Sequence, residues 1–315
     1  MAQQKPRIER RPLDGVLLLD KPCGMTSNTA LQRARWMFRA QKGGHTGVLD
    51  PLATGLLPLC FGEATKFSAF LLDADKGYRA TLRFGAVSST LDREGEITPV
   101  APPAFDREQL EAVIRDFMGV IDQVPPMYSA LKFQGKALYE YARAGVEIER
   151  KVRQVTIHRI DLLAFDGETA VMDVACSKGT YIRTLAADIG ERLGCGAYLT
   201  DLRRTTTAGF RLEQTVTLEQ LEALDESGRD GLLLPADILV SHLPRVVVDE
   251  ADFHRMTHGQ PAAVDPEKAV QRDEKAATIS RLRLYAEDGR FFGLGEIRAD
   301  GRLWPDRMLA KAREG

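Results

Sequence analysis

The chain has 315 residues, 44% hydrophobic and 28% charged, with a formal net charge of −2. That is one large domain or two with a substantial core, and collagen-like, disordered and membrane-spanning classes are excluded because no apolar run approaches a bilayer span. Met1–Arg11 is polar and basic with no apolar run behind it, and Cys23, Cys60, Cys176 and Cys195 are widely spaced, so a soluble cytoplasmic protein without a secretory signal, disulfide framework or zinc knuckle is expected.

The near-neutral total hides a gradient. Residues 1–50 carry 9 Lys or Arg against 4 Asp or Glu, whereas residues 201–250 carry 5 against 10. A basic face can coexist with an acidic one in such a chain, and charge alone allows a chance fluctuation on solvated surface equally well.

The first helix follows Ser27 as N-cap, burying Leu31, Ala34 and Phe38 while Arg33, Arg35 and Arg39 point elsewhere. Tyr78, Ala80, Leu82 and Phe84 alternate along one face of a strand. Asp106, with Gln109 three residues on, opens a helix through Leu110, Val113, Ile114 and Phe117 that Gly119 closes. A second alternating strand runs through Ala170, Met172, Val174 and Cys176. Ile182, Leu185, Ile189 and Leu193 share a helical face ending at Gly194, and Thr217 with Gln220 caps a short helix carrying Leu218, Leu221 and Leu224. Strands and helices mix without regular βαβ alternation, which favours an α+β fold with an antiparallel or mixed sheet.

The last seventy or so residues read differently. A short helix from Asp249 to His258 and a charged stretch from Asp265 to Lys275 precede short strands punctuated by Asp288-Gly289 and Asp300-Gly301, which are tight-turn signals. Leu282, Leu284, Phe291, Leu294 and Ile297 supply the apolar positions of a small β-rich module. Two units are expected, 1–245 and 246–315, parting near Leu243-Pro244.

One stretch stands apart for chemistry: Gly43-Gly44-His45-Thr46-Gly47-Val48-Leu49-Asp50-Pro51-Leu52-Ala53-Thr54-Gly55. Its glycines let the backbone turn sharply and let a ligand approach closely. Asp50 before Pro51 reads first as a helix N-cap, the commoner use of such a pair, and His45 alone reads as a packed or surface residue. No Gly-Lys-Ser/Thr follows and no Gly-x-Gly-x-x-Gly exists, so a phosphate loop and a dinucleotide seat are missing. His254 and His258 lack the glutamate of a zinc hydrolase between them, and there is no Gly-x-Ser-x-Gly elbow. What remains is a carboxylate in a glycine-framed loop, which a nearby arginine would keep ionised.

Asp20-Lys21-Pro22-Cys23-Gly24-Met25-Thr26-Ser27, followed by Gly44 to Gly55, resembles the paired signature of TruB-type tRNA pseudouridine synthases. The similarity continues through Gly62-Glu63-Ala64-Thr65-Lys66, Asp75-Lys76-Gly77-Tyr78, Pro126 to Lys132, Cys176 to Leu185 and Leu202-Arg203-Arg204. It covers roughly residues 14–212 in register.

The resemblance implies isomerisation of a uridine to pseudouridine at position 55, in the TΨC loop of tRNA, with base flipping and without cofactor or metal. It makes Asp50 the catalytic aspartate, against its reading as a cap. Tyr78, otherwise an ordinary core tyrosine, is implied to stack on the flipped uracil and handle the C5 proton. Arg183, whose cation sits poorly in a first helical turn, is implied to pair with Asp50. His45 matches the residue that fills the gap left by the base, and Tyr181 and Leu202 match the lining of the uracil pocket. Lys21 and Lys66 are phosphate or structural contacts.

Between about 125 and 154, Tyr128, Phe133, Tyr139 and Tyr141 interleave with Lys132, Lys136 and Arg143. This similarity to the family's thumb-like insertion implies a segment closing over the T-arm stem-loop, although part of it packs as an amphipathic hairpin. The C-terminal module resembles a PUA domain, a small RNA-binding β-barrel. No obligate protein partner is implied, and the positive potential is expected at the Asp50 cleft, the thumb and the PUA-like face.

Overall fold

The computed structural model describes residues 9–262 and 281–310. The charged stretch from Asp265 to Lys275 lies outside the described residues. The fold is mixed α+β, built on a nine-stranded sheet with a second, four-stranded sheet near the C-terminus.

The large sheet orders its main strands Gly15–Lys21, Thr54–Phe61, Ala197–Thr207, Lys76–Phe84, Thr169–Cys176, Arg153–Phe165 and Gly119–Gln123. Neighbours run antiparallel except Thr54–Phe61 beside Ala197–Thr207, which are parallel. Gly15–Lys21 and Thr54–Phe61 read as unbroken apolar runs because the sheet is covered on both faces there. Leu17, Leu19, Leu57, Leu59 and Phe61 point into a core shared with the helices Ser27–Met37, Arg107–Asp116 and Ile182–Arg192. Val16, Leu18, Leu56 and Cys60 point the other way, into a cluster containing Phe67, Phe210, Leu239 and Leu294.

That second cluster reaches the C-terminal sheet, whose strands Arg245–Val247, Arg281–Tyr285, Phe291–Ile297 and Leu303–Met308 lie in sequence order. Leu294 is buried in it with Phe291 packed alongside, and Phe291 meets Phe67 at 5.5 Å between ring centroids. Lys66 adds a polar tie, donating to Glu63 at 2.7 Å and to the Met308 carbonyl at 2.8 Å. Lys66 is thus occupied in holding the two sheets together.

Most local expectations match. Tyr78, Ala80, Leu82 and Phe84 share one face of Lys76–Phe84, and Asp106 with Gln109 forms a reciprocal capping box before Arg107–Asp116. Thr217 and Gln220 do the same before Leu218–Ala223, but Leu224 falls beyond that helix as an extended, exposed residue. The cap of the first helix shifts by one. Thr26 caps it, accepting from Thr29 N–H at 3.0 Å, and Ser27 is its first helical residue. Among the described residues no helix is long and apolar enough to cross a membrane.

The charge gradient changes meaning in three dimensions. Arg33 pairs with Glu222, Arg39 with Glu226, and Arg11 with both Glu226 and Asp230. Much of the basic surplus near the N-terminus therefore lies against the acidic surplus of residues 201–250. Sequence position separated charges that the fold brings into contact, so the gradient does not translate into opposed faces there.

Candidate active site

The loop bearing Asp50 is held from three sides. Gly43–His45 pairs with Thr54–Phe61, setting His45 opposite Leu59. Ser27 receives a hydrogen bond from Leu49 N–H at 2.8 Å and donates its own hydroxyl to the Leu49 carbonyl at 3.1 Å. A serine that looked like a cap is instead the clamp on the residue before Asp50. Lys21, fully buried, donates to the carbonyls of Pro22 at 2.9 Å, Met25 at 2.6 Å and Pro51 at 3.4 Å. Burial pushes its ammonium down to about 8, and its contacts are structural.

No helix follows Pro51, so Asp50 caps nothing. Its carboxylate turns to Arg183, whose Nε lies 3.0 Å from Oδ2. Arg183 stands in the first turn of Ile182–Arg192, where the helix dipole opposes a cation. The opposition is met by acceptors: Arg183 also donates to the carbonyls of Thr90 at 2.9 Å and Tyr128 at 2.7 Å, with Asp92 at 3.5 Å. Gln123 fixes the helix start, accepting from Tyr181 N–H at 2.8 Å and donating to the Tyr181 carbonyl at 3.1 Å.

Asp92 was not singled out from the sequence. It is buried in the turn Thr90-Leu91-Asp92-Arg93-Glu94-Gly95, where its carboxylate accepts from Thr90 Oγ1 at 2.6 Å and Glu94 N–H at 3.0 Å. Leu91 adopts φ +65°, a left-handed conformation that a leucine disfavours. The run of polar residues after a short strand was the available signal, and it resembles an ordinary turn.

Tyr78 and Arg204 face each other across neighbouring strands, with Leu202 opposite Ala80 on the same pair. Arg204 is 1% exposed and donates through Nε to the Leu56 carbonyl at 2.7 Å. Gly55 makes room for this: φ is +97°, and a Cβ there would lie 2.4 Å from the Arg204 carbonyl oxygen.

Asp50, Tyr78, Tyr181, Arg183, Leu202 and Arg204 converge on one cavity of about 210 Å³. His45 is the predicted residue that is not among those lining it; it sits half-buried on its short strand, where burial lowers its imidazole below the ordinary range. Burial also raises the Asp50 carboxyl above its ordinary 3.8, with Arg183 opposing and Asp92 reinforcing the rise. The arginine therefore moderates the shift without reversing it. Burial raises the Tyr78 hydroxyl as well, and Arg204 pulls against that rise.

A carboxylate, a buried guanidinium pair and two tyrosines around a small cavity suit a single planar, polar ring. Three family models match in series: the N-terminal domain of the TruB family pseudouridylate synthases over residues 35–182, the tRNA pseudouridylate synthase B C-terminal domain over 183–241, and the C-terminal region of TruB pseudouridine synthase II over 244–309. A tRNA pseudouridine synthase B of Chromobacterium violaceum is 59% identical over 97% of this chain and 98% of its own length. Its counterpart in Dechloromonas aromatica is 54% identical over 96% and 97%. Among solved structures, a chain of a Cbf5–Nop10–Gar1 complex superposes with a TM-score of 0.68 at 25% identity, covering 94% of this chain and 84% of that one. On this sequence similarity along nearly the whole chain, the protein belongs to the TruB family of pseudouridylate synthases.

Proposed function

We propose that this enzyme forms pseudouridine in tRNA, at the uridine of position 55 in the TΨC loop. The ion pair of Asp50 with a fully engaged Arg183, at the wall of a cavity for one base, carries the reading. The target base leaves its stack at a cost of about a few kcal/mol and enters the cavity, where Tyr78 stacks on it and Tyr181 and Leu202 line its seat. His45, outside the cavity, fills the gap in the RNA. Asp50 faces ribose C1′ and stabilises the positive charge that develops there as the bond to N1 breaks. Arg183 fixes the carboxylate in place, and Asp92 fixes Arg183.

Residues 1–245 form the catalytic unit in this reading, residues 125–154 close over the T-arm stem-loop, and residues 246–315 act as a PUA-like RNA contact. The enzyme needs no cofactor and no protein partner and works in the cytoplasm. The test is purified protein with an unmodified T-arm stem-loop alone. Wild type converts its uridine, and Asp50→Asn abolishes conversion while retaining RNA affinity. Conversion by the Asn variant would remove Asp50 from the chemistry, and failure of wild type on the stem-loop would remove the stand-alone substrate.

A further inference from the structure

Arg204 holds one guanidinium nitrogen, Nη2, that neither the fold nor the Asp50 network engages. It is 1% exposed, yet it lines the cavity. Nε is bound to the Leu56 carbonyl, and the guanidinium stands beside Tyr78 across the strand pair. Its Nη2 is buried with no hydrogen-bond partner among the described residues. A buried guanidinium nitrogen without an acceptor is costly, so a protein keeps one where a ligand supplies the acceptor. Asp50 and Asp92 both engage Arg183, not Arg204. The strand positions of Arg204 and Tyr78 also hold this cation rigidly at the cavity wall.

The isomerisation generates the missing partner. When C1′–N1 breaks, the electron pair goes to N1, and the detached uracil is an anion with charge shared by N1 and its carbonyl oxygens. The base turns, C5 supplies the electron pair for the new bond to C1′, the C5 proton passes to water, and N1 takes a proton from water, so that protons balance. We propose that Arg204 is a catalytic residue whose Nη2 donates to a carbonyl oxygen of the detached base and stabilises this anion during its rotation. This rests on the function proposed above and assigns the base side of the reaction to Arg204, as Asp50 and Arg183 serve the sugar side. A preorganised donor in a water-excluded site favours charge that appears only during reaction, so its contribution falls on rate and not on RNA affinity.

The experiment is single-turnover kinetics of Arg204→Gln and Arg204→Lys on two T-arm stem-loops, one with uridine and one with 5-fluorouridine at the target. Fluorine withdraws electrons and stabilises the base anion itself, and rearrangement is read by digestion and chromatography. On uridine the Gln variant loses about 100-fold in rate with RNA affinity unchanged, and Lys, which keeps the charge, recovers part of it. On 5-fluorouridine the Gln loss shrinks to about tenfold or less, because the anion needs less help. Equal losses on both substrates, or a loss confined to affinity, would overturn the assignment to the base anion. Should neither variant fold, a structure of the wild type with the 5-fluorouridine stem-loop decides: a base oxygen within hydrogen-bond reach of Nη2 supports the proposal, and Nη2 without one overturns it. If wild type does not convert the stem-loop, the substrate reading fails separately, and the same variants assayed on unmodified total tRNA still report on Arg204.

Discussion

Cations gather around the helix Ser27–Met37 and again between Lys132 and Arg153, and they meet different things. In the first region Arg11, Arg33 and Arg39 lie against Asp230, Glu222 and Glu226. In the second, Lys136 Nζ sits 5.0 Å from the Tyr141 ring centroid and Arg143 lies 5.3 Å from that of Tyr139. Phe133 meets Tyr141 edge-on at 6.0 Å, and Tyr141 donates its hydroxyl to the Phe133 carbonyl at 3.2 Å. A cation on a carboxylate is neutralised and joins two parts of the chain. A cation on a ring keeps its charge, and the ring remains a stacking surface. The second region also lies next to the cavity, since the carbonyl of Tyr128, just before it, accepts from Arg183. Cations thus join parts of the chain in one place and lie on aromatic rings in the other, where the function proposed above has them face the RNA.

Breaking the second region should have the largest effect. The triple variant Lys132→Glu, Lys136→Glu, Arg143→Glu weakens RNA binding by on the order of tenfold or more and lowers the salt slope of log affinity by roughly 2. Filter binding across a salt series reads both, and the melting temperature stays near that of wild type. An unchanged slope would mean that these cations do not face phosphates.

The comparison extends inward to Arg183, a cation between the carboxylates of Asp50 and Asp92. In the function proposed above activity requires ionised Asp50, so it is expected to fall about tenfold per pH unit below that group's midpoint. The raised carboxyl places the midpoint above the ordinary 3.8. The sign for stability is opposite: folded protein holds the proton more tightly than unfolded chain, so this group's contribution declines as pH rises from 3.8 through the folded value. Asp50→Asn accordingly melts no lower than wild type at neutral pH, which calorimetry checks.

Smaller effects test the first region. Asp230→Ala, which removes the two-pronged partner of Arg11, costs about 1 kcal/mol in denaturant unfolding, because that pair is half-buried. Arg33→Ala, at an exposed pair, costs within about 0.5 kcal/mol. Neither changes RNA affinity; a drop of the size seen in the triple variant would erase the distinction between the two regions.

The spacing of Ser27 and of Asp50-Pro51 shows where local rules stop. Both are cap-like by residue type, and propensity favours that use. Ser27 instead clamps Leu49, and Asp50 faces Arg183, because each meets a partner from far along the chain. Asp92 looked like part of an ordinary turn, and Arg204 was marked only by its place in the Leu202-Arg203-Arg204 motif. A carboxylate in a turn and an arginine on a strand become informative only when burial reveals which of their atoms are bound and which are left over.

Alternation marked Lys76–Phe84 and Thr169–Cys176, and capping boxes marked the starts of Arg107–Asp116 and Leu218–Ala223, since periodicity and end signals are properties of neighbouring residues; the other five main strands of the large sheet were not marked. The motif order from Asp20 to Arg204 also pointed to the family. The net charge of −2 and its apparent gradient did not reveal which cations are free. Only the tertiary structure decided that, because pairing depends on which distant segments pack together, and the same packing left Arg204 Nη2 unpaired beside the cavity.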